Sequence, residues 1–169
     1  MKIDKEILTY FVDESNQVLT ELAQIVEQLE ETADQFPAML LSDFSQKIDR
    51  IMGASKTMSI DAPEHMGFQR ISKIAELCKL MGRKATEKKS TKLLPLYAAF
   101  WSDTIEVTQS LIASIEDVKK TEEIAKSFPA VLQRRLEWLL ARTDPATASK
   151  SSEDRFQEVQ DLLKSLGLS

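Results

Sequence analysis

Apolar side chains recur at steps of three and four residues along most of this chain, which is the pattern of helices that bury one face. No segment shows the strict alternation of a strand. The pattern predicts five long helices, at about residues 5–31, 39–59, 67–86, 93–119 and 121–142. Helices of this length with short connections pack antiparallel. We therefore predict an all-α protein, with an antiparallel four-helix bundle in residues 1–142 and the fifth helix packed outside it.

The end of the chain differs in composition from the rest. Residues 143–152 read Thr-Asp-Pro-Ala-Thr-Ala-Ser-Lys-Ser-Ser, and small polar residues with proline are typical of a flexible linker. Residues 153–169 follow this linker and include a short amphipathic helical pattern from Val159 onward. Because the first 142 residues already supply the apolar faces of a core, we expect this tethered helix to be free and to bind a partner.

Composition narrows the classes of function. The net charge is −5, from 27 acidic and 22 basic side chains, which argues against nucleic acid as the main partner. No apolar run approaches the ~18 residues of a membrane span and no signal-peptide core is found, so we expect a cytoplasmic protein. The single cysteine, Cys78, fits a buried helix position and is expected to be a packing side chain. The sequence has no metal-ligand cluster, phosphate-binding loop or nucleophile–base set.

The centre of the second predicted helix carries the candidate chemistry. Five residues lie three or four positions apart and share one face, namely Asp43, Gln46, Asp49, Arg50 and Gly53. A glycine inside a helix costs up to ~1 kcal/mol relative to alanine, so Gly53 requires a reason such as the close approach of another backbone, which need not be catalytic. The simpler explanation for each polar residue taken singly is that it lies on the solvated side of an amphipathic helix.

The order of helices and residues 49–55, Asp-Arg-Ile-Met-Gly-Ala-Ser, resemble the histidine phosphotransfer domain of the CheA chemotaxis kinases. The resemblance covers about residues 3–142, and the motif of that family is H-x-x-K-G followed by small residues. Here Gly53 and the small residues are kept, whereas Asp49 replaces the phosphorylated histidine and Met52 replaces the lysine. The resemblance therefore implies a phosphotransfer-type bundle without its phosphoacceptor. The only histidine, His65, is expected to be a solvated loop residue.

The chain end resembles the C-terminal peptide with which CheZ phosphatases hold a phosphorylated CheY-type response regulator. That pattern is close to V-D-D-L-L-D-S-L-G-F, and residues 159–168 read Val-Gln-Asp-Leu-Leu-Lys-Ser-Leu-Gly-Leu. The resemblance implies that the regulator is contacted by Val159, Asp161, Leu162, Leu163, Leu166 and Leu168. It implies no cofactor on this chain, since Mg²⁺ would be supplied by the regulator. A Leu-Leu-x-x-Leu helix also docks in grooves of unrelated proteins.

The two resemblances together imply that the second helix faces the phosphoaspartate of the regulator, with Arg50 and Gly53 at the contact. CheZ-type phosphatases use an acid that contacts a regulator lysine and an amide that orients the attacking water. Asp43 and Gln46 have these types at a three-residue spacing, one less than in D-x-x-x-Q, and Asp49 is the other candidate acid.

The leading hypothesis is therefore a chemotaxis signalling protein that shortens the phosphorylated lifetime of a CheY-type regulator. A second hypothesis is a non-catalytic adaptor or competitor that docks on a regulator or a chemotaxis kinase. A third is a helical interaction module whose tail binds an unrelated groove. Under the first two hypotheses the tail keeps the regulator near the second helix at an effective concentration of roughly millimolar.

Overall fold

The computed structural model describes residues 3–31, 34–143 and 151–165. These residues form helices without any strand, which confirms the all-α class. The six helices are α1 (Lys5–Glu31), α2 (Ala38–Asp61), α3 (Met66–Lys88), α4 (Leu94–Ala113), α5 (Val118–Thr143) and α6 (Ser152–Ser165). None of the helices in the described ranges is long and apolar enough to cross a membrane.

The first four helices pack in a cyclic order around one core. Helix α1 contacts α2 and α4, and α3 contacts the same two helices from the other side. The rings of Phe44 in α2 and Trp101 in α4 lie 4.4 Å apart between centroids, so the core is continuous across the cycle. Phe11 of α1 meets Phe68 of α3 edge to face at 5.3 Å. Aromatic pairs of this kind stabilise a core beyond the area that they bury.

Helix α5 packs against α3 and α4. The fourth helix ends earlier than the sequence predicts, at Ala113, and α5 begins at Val118. Hydroxyl groups explain the difference, because they bond to backbone groups and compete with helix continuation. Thr121 donates to the Ser114 carbonyl across the turn. Asp117 then caps α5 by accepting a hydrogen bond from the backbone of Lys120 at 3.1 Å.

The prediction that His65 is a solvated loop residue is wrong. Its side chain is only 2% exposed, and its Nε2 atom lies 2.9 Å from the carbonyl oxygen of Ile115. The connection between α2 and α3 is short and folds onto the turn between α4 and α5, which places the ring inside. Gly67, at the start of α3, lies against neighbouring side chains, since a Cβ on Gly67 would lie 2.5 Å from Cγ2 of Thr121.

Helix α6 is not free, in contrast to the prediction for the tail. It packs against α5, with Val159 and Leu163 fully buried. Burying a valine or leucine side chain stabilises by roughly 1.5–3 kcal/mol, enough to hold a short helix against a neighbouring one. The helix begins before Val159, because the hydroxyl of Ser151 accepts a hydrogen bond from the backbone of Asp154. Residues 144–150 of the predicted linker and residues 166–169 lie outside the described ranges.

Candidate functional site on helix α2

The candidate site is the outer face of α2, which we define as the side opposite its buried stripe. The stripe consists of Leu41, Phe44, Ile48, Ile51, Ser55 and Met58. With 3.6 residues per turn, Gln46 and Gly53 lie opposite these residues, and both are exposed. Helix α1 borders one edge of this face and α3 borders the other. The structure therefore exposes part of the predicted set and places the rest against neighbouring helices.

Gln46 is the most accessible candidate for chemistry. Its side chain is exposed, and the described part of the chain offers its amide no hydrogen-bonding partner. An amide carries one acceptor oxygen and two donor hydrogens, so it can both orient a water molecule and contact an anion. The local fold explains this freedom, because the neighbouring charged side chains of α2 bond to α1 and α3 instead.

Asp43 lies on the α1 edge of the outer face. One of its carboxylate oxygens is 3.4 Å from the Lys47 ammonium group, which is closer, at 2.8 Å, to Glu21 of α1. The hydrogen bond from Lys47 lowers the pKa of Glu21, and the same bond raises the pKa of Lys47. The Asp43 side chain is 49% exposed, and pairs between exposed groups contribute about 0–1 kcal/mol. Asp43 can therefore exchange Lys47 for a lysine of a partner at little cost.

Asp49 lies on the opposite, α3 edge. Its carboxylate is 2.6 Å from the ammonium group of Lys79. The two candidate acids therefore bond to different neighbours and do not form a carboxylate pair. Lys79 also balances the negative charge at the position where the resemblance places a phosphoacceptor.

Arg50 forms an ion pair with Glu14 of α1 at 2.6 Å and remains half exposed. Tyr10 also bonds to Glu14 and is the main cause of the lowered pKa of that carboxyl, with Arg50 as the next cause. The same hydrogen bond raises the pKa of Tyr10. The α1 edge of the site is thus a connected chain of three side chains, and Arg50 is held in place rather than free.

Sequence reasoning missed the residues of α1 and α3 that border this face. Lys79, Glu14 and Glu21 lie 26 to 36 positions away from their partners on α2. Each has the ordinary pattern of a surface charge on an amphipathic helix, so no local signal marks it. Only the packing of α2 between its two neighbours reveals these contacts.

Gly53 is exposed one turn beyond Arg50. A Cβ atom built on it would have no neighbouring atom within 4 Å. Among the described residues, no other backbone approaches Gly53 closely. Because Gly53 has no side chain, the outer face of α2 has a shallow depression at this position, where a partner could approach the helix backbone closely.

The predicted tail contacts lie apart from the outer face of α2. Helix α6 packs against α5, and α5 packs against α3 and α4. Val159 and Leu163 are buried and Leu162 is half-buried, whereas Asp161 is exposed and accepts a hydrogen bond from Gln157 at 2.9 Å. Leu166 and Leu168 lie outside the described ranges. The structure does not bring the two predicted contact surfaces together.

No group of three or more histidine, cysteine, aspartate or glutamate side chains in the described ranges could hold a metal ion. Comparison of the chain with protein-family models, curated proteins and solved structures finds no match.

Proposed function

We propose that this protein binds a phosphorylated CheY-type response regulator and shortens the lifetime of its phosphoaspartate, with hydrolysis assisted by Gln46. The observation that carries the proposal is the exposed Gln46 amide, for which the described residues offer no hydrogen-bonding partner, one helical turn from the weakly paired acid Asp43. The proposal includes a phosphotransfer-type four-helix arrangement in which α2 faces the regulator. It also includes a cytoplasmic location, where such regulators act.

In the proposed reaction, the oxygen of the Gln46 amide accepts a hydrogen bond from a water molecule and directs its lone pair toward phosphorus. The water oxygen forms a bond to phosphorus while the bond between phosphorus and the aspartyl oxygen breaks. The products are inorganic phosphate and the free carboxylate of the regulator. Orienting two reactants can account for a large part of a rate enhancement, so one amide suffices for this role. Mg²⁺ bound by the regulator would balance charge on the phosphoryl oxygens.

The acids have different roles in this proposal. Asp43 contacts a lysine of the regulator, after giving up its long pair with Lys47. Asp49 is kept from repelling the phosphoryl group by Lys79. Two like charges about 4 Å apart repel by ~4 kcal/mol at the effective dielectric of a protein surface, so this compensation decides whether the regulator can approach.

A second candidate function is a non-catalytic adaptor that docks on a regulator or a chemotaxis kinase. The observation that favours it is that both candidate acids already have cationic partners on this chain, Lys47 and Lys79. Docking would then use the outer face of α2 without hydrolysis. The two functions differ in one measurable property, the lifetime of the phosphoryl group while the regulator is bound.

The test is the decay of phosphoryl label on a purified CheY-type regulator, with and without the intact protein. Gln46→Ala is compared with Gln24→Ala, which removes an exposed amide from α1. Binding is measured separately by titration with the regulator carrying beryllofluoride, a stable phosphoryl analogue. We expect Gln46→Ala to abolish accelerated decay and to keep binding, while Gln24→Ala keeps both.

Two other outcomes have different meanings. Binding without accelerated decay in the unaltered protein would establish the adaptor and exclude the phosphatase. The absence of any complex with phosphorylated regulators would exclude the phosphatase and the adaptor that docks on a regulator, and would leave only docking on a chemotaxis kinase. Deletion of residues 153–169 should weaken binding in either case, because it removes the peptide that resembles the regulator-binding segment.

A further inference from the structure

Helix α6 packs against α5 through the same apolar side chains that, in the proposed function, contact the regulator. Val159 is 0% exposed and Leu163 is 1% exposed, and their four-residue spacing puts them on one face. Leu162, beside them, is half-buried. A side chain buried in this protein cannot fill a groove of another protein at the same time. The packed and regulator-bound states of α6 are therefore mutually exclusive.

We propose that α6 is an autoinhibitory segment, which withholds its regulator-binding face while docked on α5 and must leave α5 to capture the regulator. This inference rests on the proposed function, and it adds a regulation of the same binding segment. The occupant of the α5 surface in the resting protein is α6 itself.

The contacts of α6 suit an exchange between two partners. Its anchoring side chains are few, since Val159 and Leu163 are its members of the buried core in the described ranges. By comparison, α1 places eight apolar side chains in that core. An anchor of this size can be replaced by a groove of similar apolar area on another protein.

Several hydrogen bonds of α6 are local and can survive its release. The Ser151 hydroxyl caps the backbone of Asp154, and Gln157 donates to Asp161 within the helix. An isolated helix of 14 residues is marginal in water, so these bonds reduce the cost of presenting α6 as a helix to a new partner. Phe156 is already 45% exposed on the docked helix and offers a first apolar contact before release.

Docking of α6 on α5 should lower the apparent affinity of the tail for the regulator. The apparent affinity is proportional to the fraction of molecules in which α6 is released. If α6 is docked in about nine molecules of ten, the apparent affinity of the tail falls roughly tenfold. Because the docked and bound states exclude each other, the bound regulator must in turn oppose docking. Release of α6 on regulator binding is therefore a direct test.

The experiment measures distances between two spin labels on the intact chain by pulsed electron resonance. One label is placed on α5 through Ala130→Cys and the other on α6 through Gln160→Cys, both at exposed positions. The native Cys78 is buried with its thiol pKa raised to about 12, so it stays unlabelled in the folded protein. The control pair, Ala130→Cys with Gln24→Cys, has both labels on helices that should not separate.

We expect one narrow distance distribution between α5 and α6 in the free protein. A CheY-type regulator carrying beryllofluoride should replace it with a different or broad distribution, and the control pair should not change. Adding Leu163→Ser to the labelled chain should broaden the α5–α6 distribution without any regulator, since this substitution removes one of the anchoring side chains.

Three results would overturn the inference. A broad distribution in the free protein would mean that α6 is not docked. An unchanged narrow distribution in a complex that sedimentation shows to be fully formed would mean that docking does not compete with the regulator. The absence of a complex with the phosphorylated form of the regulator would overturn the proposed function itself, and this inference with it.

Discussion

Gly53 of α2 and Gly67 of α3 form a matched pair for substitution by alanine, with opposite expected effects on stability. Gly53 lies on the outer face of α2, where a new Cβ would meet nothing within 4 Å. Gly67 lies in the first turn of α3, where a new Cβ would be 2.5 Å from Thr121 Cγ2 and 2.9 Å from His65 Cε1. The same chemical change therefore has free space at one position and a clash at the other.

At Gly53 the only term that changes is the helix propensity, so Gly53→Ala should raise the free energy of unfolding by ~0.5–1 kcal/mol. For a chain of this size that is a rise in Tm of roughly 1–4 °C. At Gly67 the obstructing groups are themselves held, since Thr121 bonds to Ser114 and His65 contacts the carbonyl of Ile115. Overpacking of this kind costs about 1–3 kcal/mol, which exceeds the propensity gain.

The stability of both variants is measured by urea unfolding, which is monitored by far-ultraviolet circular dichroism. If the slope of the transition is unchanged, a shift in the midpoint reports a change in stability. A destabilised Gly53→Ala would refute the reasoning, because its Cβ would then have to meet an atom that the structure does not place there. Regulator affinity is then measured on the same variant. If a partner approaches α2 closely at Gly53, the variant should be more stable and bind more weakly.

Three further predictions concern buried or paired groups. Burial raises the pKa of the Cys78 thiol to about 12, so a thiol reagent at about pH 8 should label the unfolded chain and spare the folded one; rapid labelling of folded protein would contradict this. Lys79→Met should change the unfolding free energy by less than about 1 kcal/mol. The same variant should bind the regulator more weakly in a titration, because Asp49 loses its counter-charge. Unchanged binding would argue against Asp49 at the contact. The hydrogen bond from Lys47 lowers the pKa of Glu21, so the stability it contributes is present above the usual value of 4.5 and is lost as the pH falls through the lowered pKa. Glu21→Gln should flatten that part of the pH dependence of the urea midpoint, and an unaltered profile would contradict the assignment.

The long helices could be predicted from sequence because their signal is local. Periodic apolar positions define α1 to within a residue and α2 and α3 to within two residues at each end. The boundary between α4 and α5 could not be predicted in the same way. It depends on the contact of Thr121 with Ser114 across the turn, and periodicity carries no information about such a contact.

The sequence pattern does not predict the burial of residues that become core residues only through tertiary packing. The sequence around His65 looks like an ordinary polar connection, and only the fold of that connection onto the carbonyl of Ile115 makes it a core residue. The same holds for α6. Its apolar stripe predicts a binding surface, but in the structure this stripe packs against α5 of the same chain. On the outer face of α2, periodicity predicts that Gln46 is exposed but cannot show that Lys79 compensates Asp49.

The separation of the tail from the outer face of α2 leads to a last prediction about kinetics. The candidate chemistry is one amide, Gln46, whereas the candidate capture device is α6 and the residues after it. A group that acts only on the reacting water should change kcat, and a segment that only binds the regulator should change KM. We therefore expect Gln46→Ala to lower kcat with KM nearly constant, and deletion of residues 153–169 to raise KM with kcat nearly constant at saturating regulator. Steady-state phosphate release measures both constants. A fall in kcat on deletion of the tail would show that the tail also positions the regulator on α2, and would contradict this division of roles.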